Sequence, residues 1–263
     1  MNKTLKTALL AAALSGAGTT VALADEAAST PAWGTVTGSV AFTTNYNFRG
    51  FSQTNDDPAL QGSLTYTHPT GIYLYTWMSN VDFNTPSTDV GAHLEIDLGG
   101  GISNNIGKWH YDLGFTYYLY PGANDNNTAT KTAAIPELNY YEFYAKGGYD
   151  FGVAQVLASV YGSPNNFGKT GAEVYYNGNV TVPLPFLPWN ASLSGWVGYQ
   201  TFLDDDKKGA LVDYIDYSVG AGFVVPYGNI ALDFRWVGTD MNTSECGLNT
   251  CKGTFIFTAT KSF

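Results

Sequence analysis

Charge is scarce in this sequence. Asp, Glu, Lys and Arg make up 13% of its 263 residues, about half of the roughly 25% usual in a soluble domain. The shortage falls mainly on the bases: 12 Lys and Arg stand against 22 Asp and Glu, a net charge of −10. Nucleic acid is therefore excluded as a partner, because its phosphates require Lys and Arg. Cysteine is nearly absent. Cys246 and Cys251 lie close together among turn-forming residues, and in an oxidising compartment they form a small loop disulfide. Two thiols alone make a poor zinc site, so no metal and no cofactor is expected. Long apolar runs are missing as well. Nothing beyond the N-terminus approaches the ~18 consecutive apolar residues of a transmembrane helix. A chain of this composition that enters a membrane must cross it as strands.

What is present begins with an export signal. Lys3 and Lys6 precede an apolar run from Ala8 to Leu14, and Ala22-Leu23-Ala24 is a small-residue cleavage site before Asp25-Glu26. This is the pattern of a secretory signal peptide. The apolar run is too short to span ~30 Å of hydrocarbon at 1.5 Å per residue. Cleavage after Ala24 removes two lysines and enlarges the acidic excess.

Aromatics are abundant, at 15% with 19 tyrosines. Runs of period two bounded by Gly, Pro, Asn and Asp predict twelve strands. They cover 36–47, 59–67, 72–81, 90–99, 109–120, 139–149, 153–162, 172–182, 190–202, 213–225, 229–237 and 253–263. Most are close to the 9–11 residues of a tilted membrane-crossing strand. The odd-numbered connections are mostly long and polar, and the even ones mostly short, as in 68–71, 150–152 and 226–228; 100–108 and 183–189 stretch the rule. A soluble sandwich has no reason for this two-beat rhythm. An outer-membrane barrel does, because its periplasmic turns are short and its external loops long. The final strand, with Phe255, Phe257, Ala259 and Phe263 on one face, is suited to pair with the first and leave no open edge. Trp109, Tyr149, Trp189, Phe223 and Phe263 then fall at the periplasmic rim. Tyr46, Tyr117, Tyr141, Tyr217, Trp236 and Phe255 fall towards the outer rim.

The expected fold is thus an all-β, 12-stranded antiparallel up-and-down transmembrane β-barrel. Residues 1–24 form the signal peptide, 25–35 a short periplasmic segment and 36–263 the barrel. The stretch from Asn45 to Phe83 goes further. Its Tyr46, Phe48-Arg49-Gly50, Ser52-Gln53, Pro58, Gly71, Tyr73, Trp77, Ser79-Asn80 and Asp82 resemble the TorF family of proteobacterial outer-membrane barrels. So do Asp112-Leu113-Gly114, Tyr117-Tyr118, Tyr120-Pro121, Tyr140-Tyr141-Glu142 with Tyr144, and the closing Lys261-Ser262-Phe263. That resemblance implies an outer-membrane barrel of a family called porins largely by inference. It supplies no solute. The 246–251 loop and Asp204-Asp205-Asp206 have no counterpart in it.

Placing the polar face of each strand inward collects Glu95, Asp97, Asp112, Glu142, Lys146, Glu173, Asp216, Asp233 and Arg235, seven acids against two bases. Such a lining favours cations and neutral polar solutes. Arg49 inherits the inward side at the outer mouth, where it either closes the barrel top by pairing with a carboxylate or binds solute. Asp97 lies opposite Asp112 or His110, depending on one register step; two close carboxylates would share a proton or hold a cation. Asp216 and Arg235 can sit diagonally across the 226–228 hairpin. Three readings compete: a diffusion channel for small solutes, a filled structural or adhesin-like barrel, and an outer-membrane enzyme. The enzyme needs a histidine near the outer rim, and of His68, His93 and His110 only His93 is placed for it. No serine is marked as its partner, so no catalytic residue is expected. The expected partners are outer-membrane lipid and lipopolysaccharide, besides solute.

Overall fold

The computed structural model describes residues 32–84, 90–123, 137–209, 211–242, 244–246 and 250–263. The expected signal peptide lies outside them. Two short strands, β2 (Asn47–Phe48) and β3 (Phe51–Ser52), pair only with each other. The remaining twelve are β1 (Thr35–Thr43), β4 (Ala59–Thr67), β5 (Ile72–Asn80), β6 (Leu94–Ile106), β7 (Trp109–Leu119), β8 (Tyr140–Asp150), β9 (Gln155–Ser163), β10 (Glu173–Pro183), β11 (Ser192–Phe202), β12 (Tyr214–Val225), β13 (Ile230–Thr239) and β14 (Thr254–Ser262). Each pairs antiparallel with its neighbours in sequence, and β1 pairs with β14, so the sheet is a closed barrel. The seam is tight: Gly38 and Phe263 exchange backbone hydrogen bonds of 2.9 and 3.0 Å. Closure satisfies every edge, which hydrocarbon demands.

Alternation decides which side of the wall each residue faces. On β5, Tyr73, Tyr75, Trp77 and Ser79 are buried, whereas Ile72, Leu74 and Met78 are exposed. Leu74 and Val219 are each 63% exposed. Apolar residues in contact with surroundings, and polar ones enclosed, invert the pattern of a soluble protein and match a lipid-facing barrel. Rim aromatics pack in pairs: Trp109 on Tyr149 (4.7 Å between centroids), Trp189 on Phe223 (5.8 Å) and Trp236 on Phe255 (4.8 Å).

Two expected strands end elsewhere. β6 begins at Leu94 and runs to Ile106, not 90–99, so the connection to β7 shrinks to Gly107-Lys108. Gly100 and Gly101, expected in the connection that follows strand 90–99, are strand residues together with Gly99. Their lack of side chains makes room for aromatic rings: a Cβ at Gly99 would strike the Tyr75 ring, and one at Gly101 the Tyr73 hydroxyl. Gly114 likewise lies under Tyr144, and Gly198 under Tyr175. β1 stops at Thr43 rather than 47. Beyond it the chain leaves the wall and turns into the barrel. Tyr46, expected at the outer girdle, is consequently only 1% exposed and lies inside.

Candidate lumen site

Residues 44–58 fold inward at the end of the barrel that carries the longer loops. The tip is a two-residue hairpin turn whose central residues, Arg49 (φ 49°) and Gly50 (φ 87°), are both left-handed. This turn type suits the twist of the strands that it joins. Gly50 accepts such a φ without cost, whereas Arg49 is strained by about 1–2 kcal/mol. The Asn47 side-chain oxygen accepts a hydrogen bond from the Gly50 amide (3.1 Å). Tyr46 packs edge-on to Trp77 (5.2 Å), inside an aromatic cluster with Tyr118, Tyr120 and Tyr140. The Ser52 amide donates to the Thr250 carbonyl (2.7 Å), and Tyr214 donates to the Arg49 carbonyl (3.0 Å).

The Arg49 guanidinium crosses the lumen. Nη2 donates to both Glu142 oxygens (2.7 and 2.8 Å); Nη1 reaches Glu173 Oε1 (3.3 Å) and Gln200 Oε1 (3.2 Å). One residue of an inward loop thus fastens β8, β10 and β11 together. The cation also lies over the rings of Tyr175 (4.3 Å) and Phe48 (4.7 Å). Tyr118 donates to Glu142 Oε2 (2.8 Å) and Gln200 to Glu173 Oε2 (2.6 Å). Hydrogen bonds between a guanidinium and a carboxylate, both charged, are among the stronger polar contacts available.

The other predicted lumen residues are all buried, and several form local pairs. Lys146 opposes Asp112 across β7 and β8 (3.3 Å). Arg235 holds Asp233 on its own strand (2.5 and 2.7 Å), donates to Ser218 (3.2 Å) and lies over Trp196 (4.9 Å). The expected Asp216–Arg235 diagonal does not form. Asp216 opposes Thr239 and Arg235 opposes Gly220, which sets them four residues apart along the wall. Asp216 instead accepts from Tyr175 (2.9 Å) and the Trp196 indole (2.7 Å). Asp97 opposes Tyr118, not Asp112 or His110, because the longer β6 shifts its register with β7. Its nearest carboxylate on the sheet face is Glu95, two residues away on the same side.

Sequence reasoning missed Gln200 and the tyrosines that orient the carboxylates. Gln200 alternates inward with Gly198, which was the available signal; its contact with Arg49 spans 151 residues of sequence. The three histidines lie apart from one another along the chain, in different segments. His93 precedes β6 and is exposed, correcting its expected place inside that strand. His110 bonds Asn105 (3.0 Å) and His68 bonds Thr70 (2.8 Å). In the loop between β11 and β12 Asp204 and Asp205 pair with Lys207 and Lys208 (3.0 and 2.6 Å). Cys246 and Cys251 are bonded to each other, with Cα atoms 5.6 Å apart.

The family Gcw_chp, described as a bacterial protein of unknown function, matches residues 25–263. The chain belongs to this family. No curated protein matches it. Among solved structures, this Gcw_chp barrel is similar to the KdgM porin, with TM-score 0.55 at 9% identity, covering 86% of this chain and 99% of that one. A second structure, described as KdgM porin in complex with disordered oligogalacturonate, matches with TM-score 0.54 at 8% identity, covering 87% and 99%. At such identities the likeness is one of fold: the Gcw_chp chain has the 12-stranded barrel of outer-membrane porins.

Proposed function

We propose that this protein is a porin-like channel of the outer membrane, for passive diffusion of small cations and neutral polar solutes, and that it is not an enzyme. The observation that carries the reading is the lumen itself: nine ionisable strand residues enclosed by the barrel wall. The rings of Tyr73, Tyr75, Tyr144 and Tyr175 lie over glycines of neighbouring strands, along the wall rather than across the bore. The TorF resemblance supports an outer-membrane barrel of the porin kind and supplies no solute. The family match begins at Asp25, the first residue after the expected cleavage point, which supports export through the periplasm. Lipid and lipopolysaccharide are then the surroundings of the exposed apolar belt.

Solute class follows from charge. Asp112 and Asp233 have basic partners and Glu142 and Glu173 share Arg49, which leaves Glu95, Asp97 and Asp216 outside any ion pair among the described residues. Such a lining attracts cations. The acidic oligogalacturonate named with the KdgM porin is disfavoured here. Single-channel recording of the refolded protein tests the proposal; cation-preferring current supports it.

A second reading rests on the inward hairpin. With Arg49 fastened to three strands and Tyr46 packed in an aromatic cluster, the loop narrows the mouth, and the barrel serves as a structural element or a surface for adhesion. A barrel silent in bilayers both as it stands and with residues 45–57 removed would favour that reading.

A further inference from the structure

Of the lumen carboxylates, two are placed unlike the others. Glu95 and Asp97 are 2% and 1% exposed, and neither forms an ion pair among the described residues. Glu95 Oε1 accepts a 3.3 Å bond from Tyr46. Glu95 Oε2 and Asp97 Oδ1 are buried with no hydrogen-bond partner. Buried carboxylates are normally paired, bound to a metal or neutralised. The surroundings worsen the imbalance. Asp97 opposes Tyr118, whose hydroxyl already donates to Glu142, and the one guanidinium nearby is engaged by Glu142 and Glu173. Glu95 and Asp97 thus add two carboxylates to a Glu142–Glu173–Arg49 group that already holds two acids against one base.

We infer that Glu95 and Asp97 form a binding site for a hard divalent cation of the calcium type, seated under the inward hairpin. The two side chains leave the same face of β6, with Cα atoms roughly 7 Å apart at the usual strand rise. A cation held at 2.3–2.6 Å from each oxygen bridges carboxylates whose facing atoms are up to ~5 Å apart. Such ions take oxygen ligands only, and both orphan atoms are carboxylate oxygens. No cluster of three His, Cys, Asp or Glu side chains exists among the described residues, so water completes the shell. A single shared proton would satisfy the same two atoms but leave two uncompensated negative charges among the four acids; a divalent ion leaves one. Tyr46, which bonds Glu95 and packs on Trp77, covers the site, so the ion also ties the hairpin to β6. The site stands whether or not the barrel conducts.

Terbium, a luminescent stand-in for calcium excited through nearby Trp and Tyr rings, provides the test on the full chain refolded in detergent. Emission sensitised by protein absorption should rise to saturation and be displaced by calcium. Asp97→Asn and Glu95→Gln should each weaken binding by about tenfold or more, while Asp205→Asn in the β11–β12 loop should not. Trp77→Phe should dim the emission and leave calcium competition unchanged. Folding of each variant is read from faster migration of the unboiled protein. Absence of sensitised emission, or full emission in both carboxylate variants, would overturn the site and leave a proton-sharing pair. If neither variant folds, the original chain decides: calcium must raise its unfolding temperature, and no rise overturns the inference.

Discussion

Replacing Arg49 by Met removes one charge from the lumen while keeping most of the side-chain bulk. Glu142 (0% exposed) and Glu173 (2%) then lose the guanidinium that bonds them at 2.7 to 3.3 Å. Breaking a buried ion pair from one side costs about 3–5 kcal/mol, because the remaining charge is left enclosed. None of the twelve barrel strands includes the hairpin, so the loss is relieved by undocking residues 45–57 and admitting water, not by opening the sheet. At 1.36 kcal/mol per decade, the docked-to-undocked ratio falls by roughly two to three and a half orders of magnitude. The Tyr214 and Thr250 bonds to the hairpin are available to the docked form of the variant and keep redocking possible. In bilayer recordings Arg49→Met should show a larger or more often open conductance than the original. Chymotrypsin added from the loop side should cut at Tyr46, Phe48 or Phe51. Adding Glu142→Gln and Glu173→Gln should return both readouts most of the way, since neutral partners carry no stranded charge. Unchanged current and unchanged cleavage in Arg49→Met would refute the reasoning and assign the docking to the aromatic cluster alone.

Three other outcomes are expected. Gly114→Ala should destabilise the barrel by about 1–3 kcal/mol through overpacking against the Tyr144 ring, read as a lower unfolding midpoint, with Tyr144→Ala in the same chain recovering part of it. Reversal potentials in a salt gradient should show cation preference that fades as the Debye length falls from ~10 Å at 0.1 M to ~3 Å at 1 M; Asp216→Asn or Asp97→Asn should reduce it more than Asp205→Asn, and anion preference would refute the inward charge count. A tag inserted between Asp205 and Asp206 should be reachable on whole cells and one at Gly228 should not; the reverse would mean that the barrel is inverted.

Strands were legible because enclosure on one side and lipid on the other impose a strict period of two on the residues. Most boundaries fall within a residue or two of their expected places, as for β4, β7 and β12. The failures have local causes. Gly100 and Gly101 fall in the expected connection because a run of glycines has the composition of a turn; the rings of Tyr73 and Tyr75, on the preceding strand, explain glycine at 99 and 101 inside a strand. The sequence pattern carries β1 past Thr43 because the polar alternation of Thr43, Asn45 and Asn47 continues after the backbone has left the sheet. Nothing local marks that departure. Arg49 was singled out, but its partners Glu142, Glu173 and Gln200 lie 93, 124 and 151 residues away, beyond any pattern read along the chain. The inward parity of the charged residues was legible; which acid meets which base depended on register, and one residue of turn length changes every partner.

The rings resting on glycines have a consequence for altering this barrel. Tyr75 occupies space that a side chain at position 99 would fill, as Tyr144 does for position 114 and Tyr175 for position 198. Bore diameter at those levels is a property of couples drawn from different strands. Enlarging one member alone forces a ring off the wall, and trimming the other alone carves a notch without widening the passage. A library meant to resize the pore should therefore vary 75 with 99, 144 with 114 and 175 with 198 as linked letters, exchanging which strand carries the bulk.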